Sequence, residues 1–171
     1  MNEAITERIR RIEDRQAIQD IVAAYGRLVD DRNWDEVEKL YAPDSVFDTV
    51  GGRISGRRAV RDYYEQRTNQ FGPTYHYPHS HEVFFDSADT AHGIVCAHAE
   101  LAINGDTVWI ALRYLDQYVR VSEGWCFKER RVQFLYVLPL RELPTRMADK
   151  LRTHWPETEA RLADIGGHLG L

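Results

Sequence analysis

Thr90–Ile103 (TAHGIVCAHAELAI), Thr107–Val121 (TVWIALRYLDQYVRV) and Trp125–Leu138 (WCFKERRVQFLYVL) decide the fold of this chain. Each run is rich in Val, Ile, Tyr, Phe and Trp, side chains that suit a pleated, half-buried surface. Asn104-Gly105-Asp106 separates the first two runs and Ser122-Glu123-Gly124 the second pair. Asn-Gly between such runs is a hairpin signal. Strands joined by turns this short run antiparallel, because a parallel pair needs a crossover of a dozen residues or more. His81–Phe85 stands before them across Asp86–Asp89 as a fourth strand. The expectation is a long antiparallel meander.

Upstream the pattern is helical. Ile5, Ile9, Ile12, Ile18, Ile21, Val22, Tyr25, Leu28 and Val29 recur at three- and four-residue steps, with Arg, Glu and Asp between them. Asn33 with Glu36 reads as a capping box for a second short helix ended by Pro43. A short strand around Val46-Phe47 follows, then a hairpin at Gly51-Gly52 into Arg53–Ser55 and a helix from about Arg58 to Arg67. The tail Thr145–Ile165 has helical spacing through Met147, Leu151, Trp155 and Leu162, interrupted at Pro156. Helices first and a meander after make an α+β domain, with the helices on one face of the sheet. A twisted sheet of long strands curls around those helices and encloses an apolar pocket.

At 171 residues one domain is expected over 1–171, with its core at about 10–138 and a helical extension over 139–171. A net charge of −5 gives no basic surface for nucleic acid. No run approaches the 18 or so apolar residues of a membrane span, and the first residues lack a leader pattern. Cys96 and Cys126 lie in apolar runs and read as buried thiols. The expected location is the cytoplasm, with no membrane partner.

Three clusters carry chemistry. Tyr25, Asp30 and Asp31 stand at the end of the main helix. A carboxylate there opposes the helix dipole, so Asp30 needs a compensating partner; the plainer alternative is a loop aspartate capping the next helix. Tyr75-His76-Tyr77-Pro78-His79-Ser80-His81 holds three histidines, the side chain best suited to proton transfer near neutral pH. His79 and His81 at strand spacing, with His98 and Glu100, lack a diagnostic zinc pattern, so no metal is expected. Arg130-Arg131 on the last strand must point to opposite faces, one toward a pocket unless a bulge shifts the phase; the plain alternative is a solvated face. Arg113 shares its face with Trp109 and Ala111, and the same two readings apply.

The order Ala17-Ile18-Gln19-Asp20, Tyr25, Val29-Asp30, Trp34-Asp35-Glu36, Tyr41-Ala42-Pro43-Asp44 and Gly124-Trp125 with Arg130 resembles SnoaL-like domains of the nuclear transport factor 2-like superfamily. The similarity is to the dehydratase-like branch of scytalone dehydratase, hexachlorocyclohexane dehydrochlorinase and bile acid 7α-dehydratase, over about residues 10 to 138. His76-Tyr77 through Ser87-Ala88-Asp89 resembles the dehydrochlorinase stretch without a gap.

The resemblance implies a cone-shaped, cystatin-like fold: a curved antiparallel sheet around N-terminal helices. It matches Asp30 and His76 to the family's catalytic pair, Tyr25 to the tyrosine beside them in the bile acid enzyme, and Arg130 to the dehydrochlorinase's arginine. Ala99 and Arg113 fall where relatives line the pocket, with Trp109 and Arg131 as further substrate contacts. The bile acid enzyme has an acidic residue at the position of Ala99, which argues against bile acid substrates. The implied activity is β-elimination from a small, mostly apolar ring compound without cofactor, in a homotrimer whose outer sheet face offers Tyr114 and Tyr118. Alternatives are a polyketide cyclase or ketosteroid-type isomerase, and a small-molecule binding protein without catalysis.

Overall fold

A computed structural model describes residues 3–164. Helix α1 spans Glu3–Asp30 and buries Ile18, Val22, Tyr25, Leu28 and Val29, one stripe at helical spacing. Its burial begins at Asp14, so Ile5, Ile9 and Ile12 are left exposed. Asp14 accepts the Trp125 indole N–H at 3.1 Å and pairs with Arg120 at 2.5 Å, which ties the helix to the sheet.

Helix α2 (Trp34–Lys39) follows, but no side chain caps it; the expected box at Asn33 is not formed. Strand β1 (Tyr41–Thr49) runs straight through Pro43 and pairs with β2 (Gly52–Ser55) across the expected hairpin. Helix α3 spans Arg57–Thr68. The meander is β3 (Thr74–Phe85), β4 (Thr90–Ile103), β5 (Asp106–Val121) and β6 (Gly124–Pro139). Strand β3 starts seven residues before the expected His81, so His76 lies inside it. The sheet is curved and open, in the order β2-β1-β6-β5-β4-β3. All of its pairs are antiparallel except β1 with β6, because the route from β1 to β6 passes through α3 and the meander.

Bulges set which side chains point inward. Lys128 has no partner on β5, so Phe127 and Arg130 both face the helices although they stand three positions apart. His79 is unpaired in the same way on β3: Thr74 and His76 point inward before it, His81 and Val83 after it. Strand β5 buries Val108, Ile110, Leu112, Tyr114, Asp116 and Tyr118 in unbroken alternation. Tyr114 and Tyr118 are thus core residues at 5% and 1% exposure, and the expectation that they lie on the outer face is corrected.

The tail is not the expected helix over Thr145–Ile165, whose last residue lies outside the described ones. After a 3-10 turn (Leu140–Glu142) and the short α4 (Leu143–Arg146), it folds back as β7 (Leu151–Arg152) and β8 (Arg161–Leu162). Hydrogen bonds from Val137 N–H to Thr153 O (2.7 Å) and from Phe134 N–H to the Asp164 carboxylate (2.9 Å) hold it on β6. Among the described residues no helix is long and apolar enough to cross a membrane.

Candidate active site

The site lies where the end of α1 meets the start of β3. Gly26 allows the approach: a Cβ there would lie 3.1 Å from His76 Cβ and 3.2 Å from His76 O. One turn later Asp30 reaches back to β3. Its Oδ1 lies 2.7 Å from His76 Nδ1 and accepts the Thr74 hydroxyl at 3.0 Å, while its Oδ2 accepts the His76 backbone N–H at 2.8 Å. Three donors thus offset the unfavourable helix-end position. An acceptor at Nδ1 fixes the neutral ring as the Nδ1–H tautomer and leaves Nε2 with a free lone pair.

His76 forms part of the wall of a cavity of about 90 Å³ between the sheet and α1 and α3. Val29, Phe47, Leu101, Ile110, Leu112 and Phe134 give it apolar sides, and Ala99, paired in register with His76, lies on its floor. Tyr25 stands edge-on to the His76 ring, with centroids 6.1 Å apart. Its hydroxyl bonds to that of Tyr64 at 2.8 Å, and Tyr64 reaches Tyr41 at 3.3 Å. Burial pushes the phenols of Tyr25, Tyr41, Tyr64 and Tyr114 up, so they stay protonated and serve as hydrogen-bond donors. The arrangement offers a tautomer-fixed base on one wall and neutral donors on another, with apolar surface between.

The structure therefore brings Asp30, His76, Tyr25 and Ala99 together. Arg130 is different. It faces inward but does not line the cavity: fully buried, it forms a two-point ion pair with Asp116 at 2.9 and 2.7 Å and lies 4.0–4.2 Å from the ring centres of Phe127, Tyr25 and Tyr114. Burial opposes its charge, but the Asp116 carboxylate outweighs it and holds the guanidinium ionised. Arg130, matched by resemblance to an active-site arginine, thus stands behind Tyr25 rather than on the cavity wall.

Arg113, Trp109 and Arg131 are corrected too. The alternation of β5 sends Arg113 and Trp109 to the outer face, where Trp109 stacks flat on His98 at 4.7 Å. Arg131 lies outside as well, paired with Asp48 and Glu129. The bulge also separates His79, bonded to His98 at 2.6 Å on the outer face, from inward His81, which bonds to Tyr118. No group of three or more His, Cys, Asp or Glu suited to a metal ion occurs among the described residues.

Sequence reasoning missed Thr74, Gly26 and Trp155. Thr74 stands two residues before His76, so alternation puts both on one face once the strand is known to begin there. Trp155 lines the cavity from the tail, packed on Phe71 and Phe134.

The family model described as the SnoaL-like domain matches residues 10–131. The chain belongs to the SnoaL-like family. An uncharacterised protein of Mycobacterium tuberculosis is 28% identical over 123 residues, covering 68% of this chain and 82% of its own length. Among solved structures, LinA is 26% identical with a TM-score of 0.73, covering 77% of this chain and 92% of its own. A type 2 hexachlorocyclohexane dehydrochlorinase (LinA) shares the fold, with a TM-score of 0.74 at 24% identity and the same coverage. Asp30, His76, Tyr25, Tyr41, Tyr64 and Tyr114 of this SnoaL-like chain fall within the matched stretch, whereas Trp155 and the rest of the tail lie beyond it.

Proposed function

We propose that the chain is a cofactor-independent lyase that removes water or hydrogen halide from a small, mostly apolar ring compound. The observation that carries this reading is the 2.7 Å contact of Asp30 with His76 Nδ1 on the wall of an otherwise apolar cavity. His76 Nε2 takes a proton from a ring carbon. The C–H electron pair becomes the new C=C bond, and hydroxide or halide leaves with the pair of the bond that breaks. Asp30 stabilises the imidazolium that forms. The hydroxyls of Tyr25 and Tyr64 are the donors for a departing or developing oxygen anion.

The cavity size limits the substrate. About 90 Å³ is less than the ~150 Å³ of an apolar cavity that binds benzene, so the substrate is no larger than a single ring and the walls widen to admit it. The likeness to LinA, whose type 2 form is described as a hexachlorocyclohexane dehydrochlorinase, supports elimination as the reaction class. The test is a screen of hydroxylated and halogenated single-ring compounds for unsaturated products, run beside His76→Ala. A product formed equally fast by the variant defeats the proposal.

On the same family resemblance we propose a homotrimer as the assembly, through a surface other than Tyr114 and Tyr118. Light scattering that gives a monomer mass at every concentration removes it.

A further inference from the structure

Arg67 stands in the last turn of α3 and lines the same cavity as His76. Its guanidinium carbon lies 4.6 Å from the centre of the Trp155 ring and 5.6 Å from that of Phe71. Among the described residues the Arg67 guanidinium forms no ion pair and no hydrogen bond. This sets it apart from Arg130, whose charge is spent on Asp116. Stacking uses the face of a guanidinium and leaves its five N–H donors in the plane free. A cation in the last turn of a helix is favoured by the dipole, which accounts for a basic residue there but not for its place on a cavity wall.

The surroundings sharpen the point. Apart from Arg67, the lining carries aromatic, aliphatic and hydroxyl side chains and the His76 ring, with no carboxylate. Trp155, the partner in the stack, comes from the tail that lies beyond the family match. This chain has thus placed an unpaired planar cation against its own added wall.

We propose that Arg67 is a carboxylate-binding residue and that the site takes a ring compound bearing a carboxylate. The assignment rests on the cavity being the substrate site and specifies the substrate class for it. The two N–H groups on one edge of the guanidinium donate to the two carboxylate oxygens in a paired, charge-assisted contact, and the stack on Trp155 keeps that edge oriented. The apolar walls hold the ring, and the carboxylate fixes which carbon is presented to His76.

Calorimetric titration with matched pairs, benzoate against benzyl alcohol and cyclohexanecarboxylate against cyclohexylmethanol, tests this without turnover. Wild type binds the acids about ten- to a hundredfold more tightly than the alcohols, the range expected of a charge-assisted hydrogen bond. Arg67→Met, which keeps an unbranched apolar stem against Trp155, loses the preference while alcohol affinity is unchanged; Arg67→Lys retains part of it. His76→Ala keeps the preference, so failure of the proposed base leaves this result standing. No preference in wild type, no binding of any acid, a preference that survives Arg67→Met, or its loss in His76→Ala overturns the assignment.

Discussion

Both carboxylate oxygens of Asp30 are committed to His76: Oδ1 meets the ring at Nδ1 at 2.7 Å and Oδ2 accepts the backbone N–H at 2.8 Å. The helix end thus grips the strand and orients the ring by one side chain. Thr74 adds a third donor from the same strand face.

Replacing that carboxylate by an amide should separate the two tasks. Asp30→Asn has one acceptor oxygen, so it satisfies either the backbone N–H or the ring, not both. If its NH₂ faces Nδ1, the ring takes the other tautomer and Nε2 carries the proton, which removes the base. The expected loss in kcat is on the order of 10²–10⁴-fold, with a comparable loss for His76→Ala. Adding Asp30→Asn to His76→Ala should cost little more, since the pair acts as a unit. Steady-state kinetics on a substrate from the screen checks this; additive losses would contradict it.

Gly26→Ala should harm activity more than stability. The new methyl sits 3.1 Å from His76 Cβ and 3.2 Å from His76 O, so strand β3 must give by a few tenths of an ångström. Alanine also favours the helix by about 1 kcal/mol over glycine, which offsets part of the strain. A base moved out of line loses rate steeply, about 10²-fold for a displacement near 1 Å, so a loss of roughly tenfold is expected here. Paired denaturation and kinetic measurements decide it. A variant as active as wild type would mean the contact is slack.

The buried pair of Arg130 and Asp116 makes a prediction about folding. Both side chains are fully buried, so removing one strands the other's charge. Arg130→Met and Asp116→Leu should each destabilise by about 3–5 kcal/mol, with the double variant recovering much of that loss. Urea denaturation of the three variants measures it. Equal stability of Arg130→Met and wild type would show that the pair contributes nothing.

The strands and α1 were legible because alternation, β-branched side chains and an Asn-Gly turn all point the same way. Facing was not. Both parities of β5 are rich in large side chains, Trp109, Leu115 and Val119 on one and Ile110, Leu112 and Tyr114 on the other, so nothing local marks the inside. Asp116 is buried on the inner parity, which a reading that keeps charges outside would reject. The bulges at Lys128 and His79 then reset the phase on either side. Arg130 could be placed inward through family resemblance, but its partner Asp116 could not. Asp30 and His76 were found from position and resemblance together. Trp155 was not: its helical spacing suggested a helix, and the tail instead folds back onto β6.

That tail makes the last prediction. His154, next to Trp155, is 2% exposed, and neither ring nitrogen finds a hydrogen-bond partner. Burial pushes its pKa below the ordinary value, and the Asp164 carboxylate, 3.5 Å away, offsets this only in part; Arg161, paired with that carboxylate, works with burial. The folded state therefore binds fewer protons here than the unfolded chain. Stability is full above the unfolded value of about 6.5 and is lost as pH falls from there through the lower folded one. The slope from this residue cannot exceed about 1.4 kcal/mol per pH unit. His154→Leu should flatten the pH dependence of the urea midpoint between pH 7.5 and 5. His81, pushed down mainly by burial in the same way, leaves a residual slope of the same sign. Tryptophan fluorescence should follow the same trend, because Trp155 loses its packing on Phe71 when the segment lifts. An undiminished slope in His154→Leu would place the acid sensitivity elsewhere.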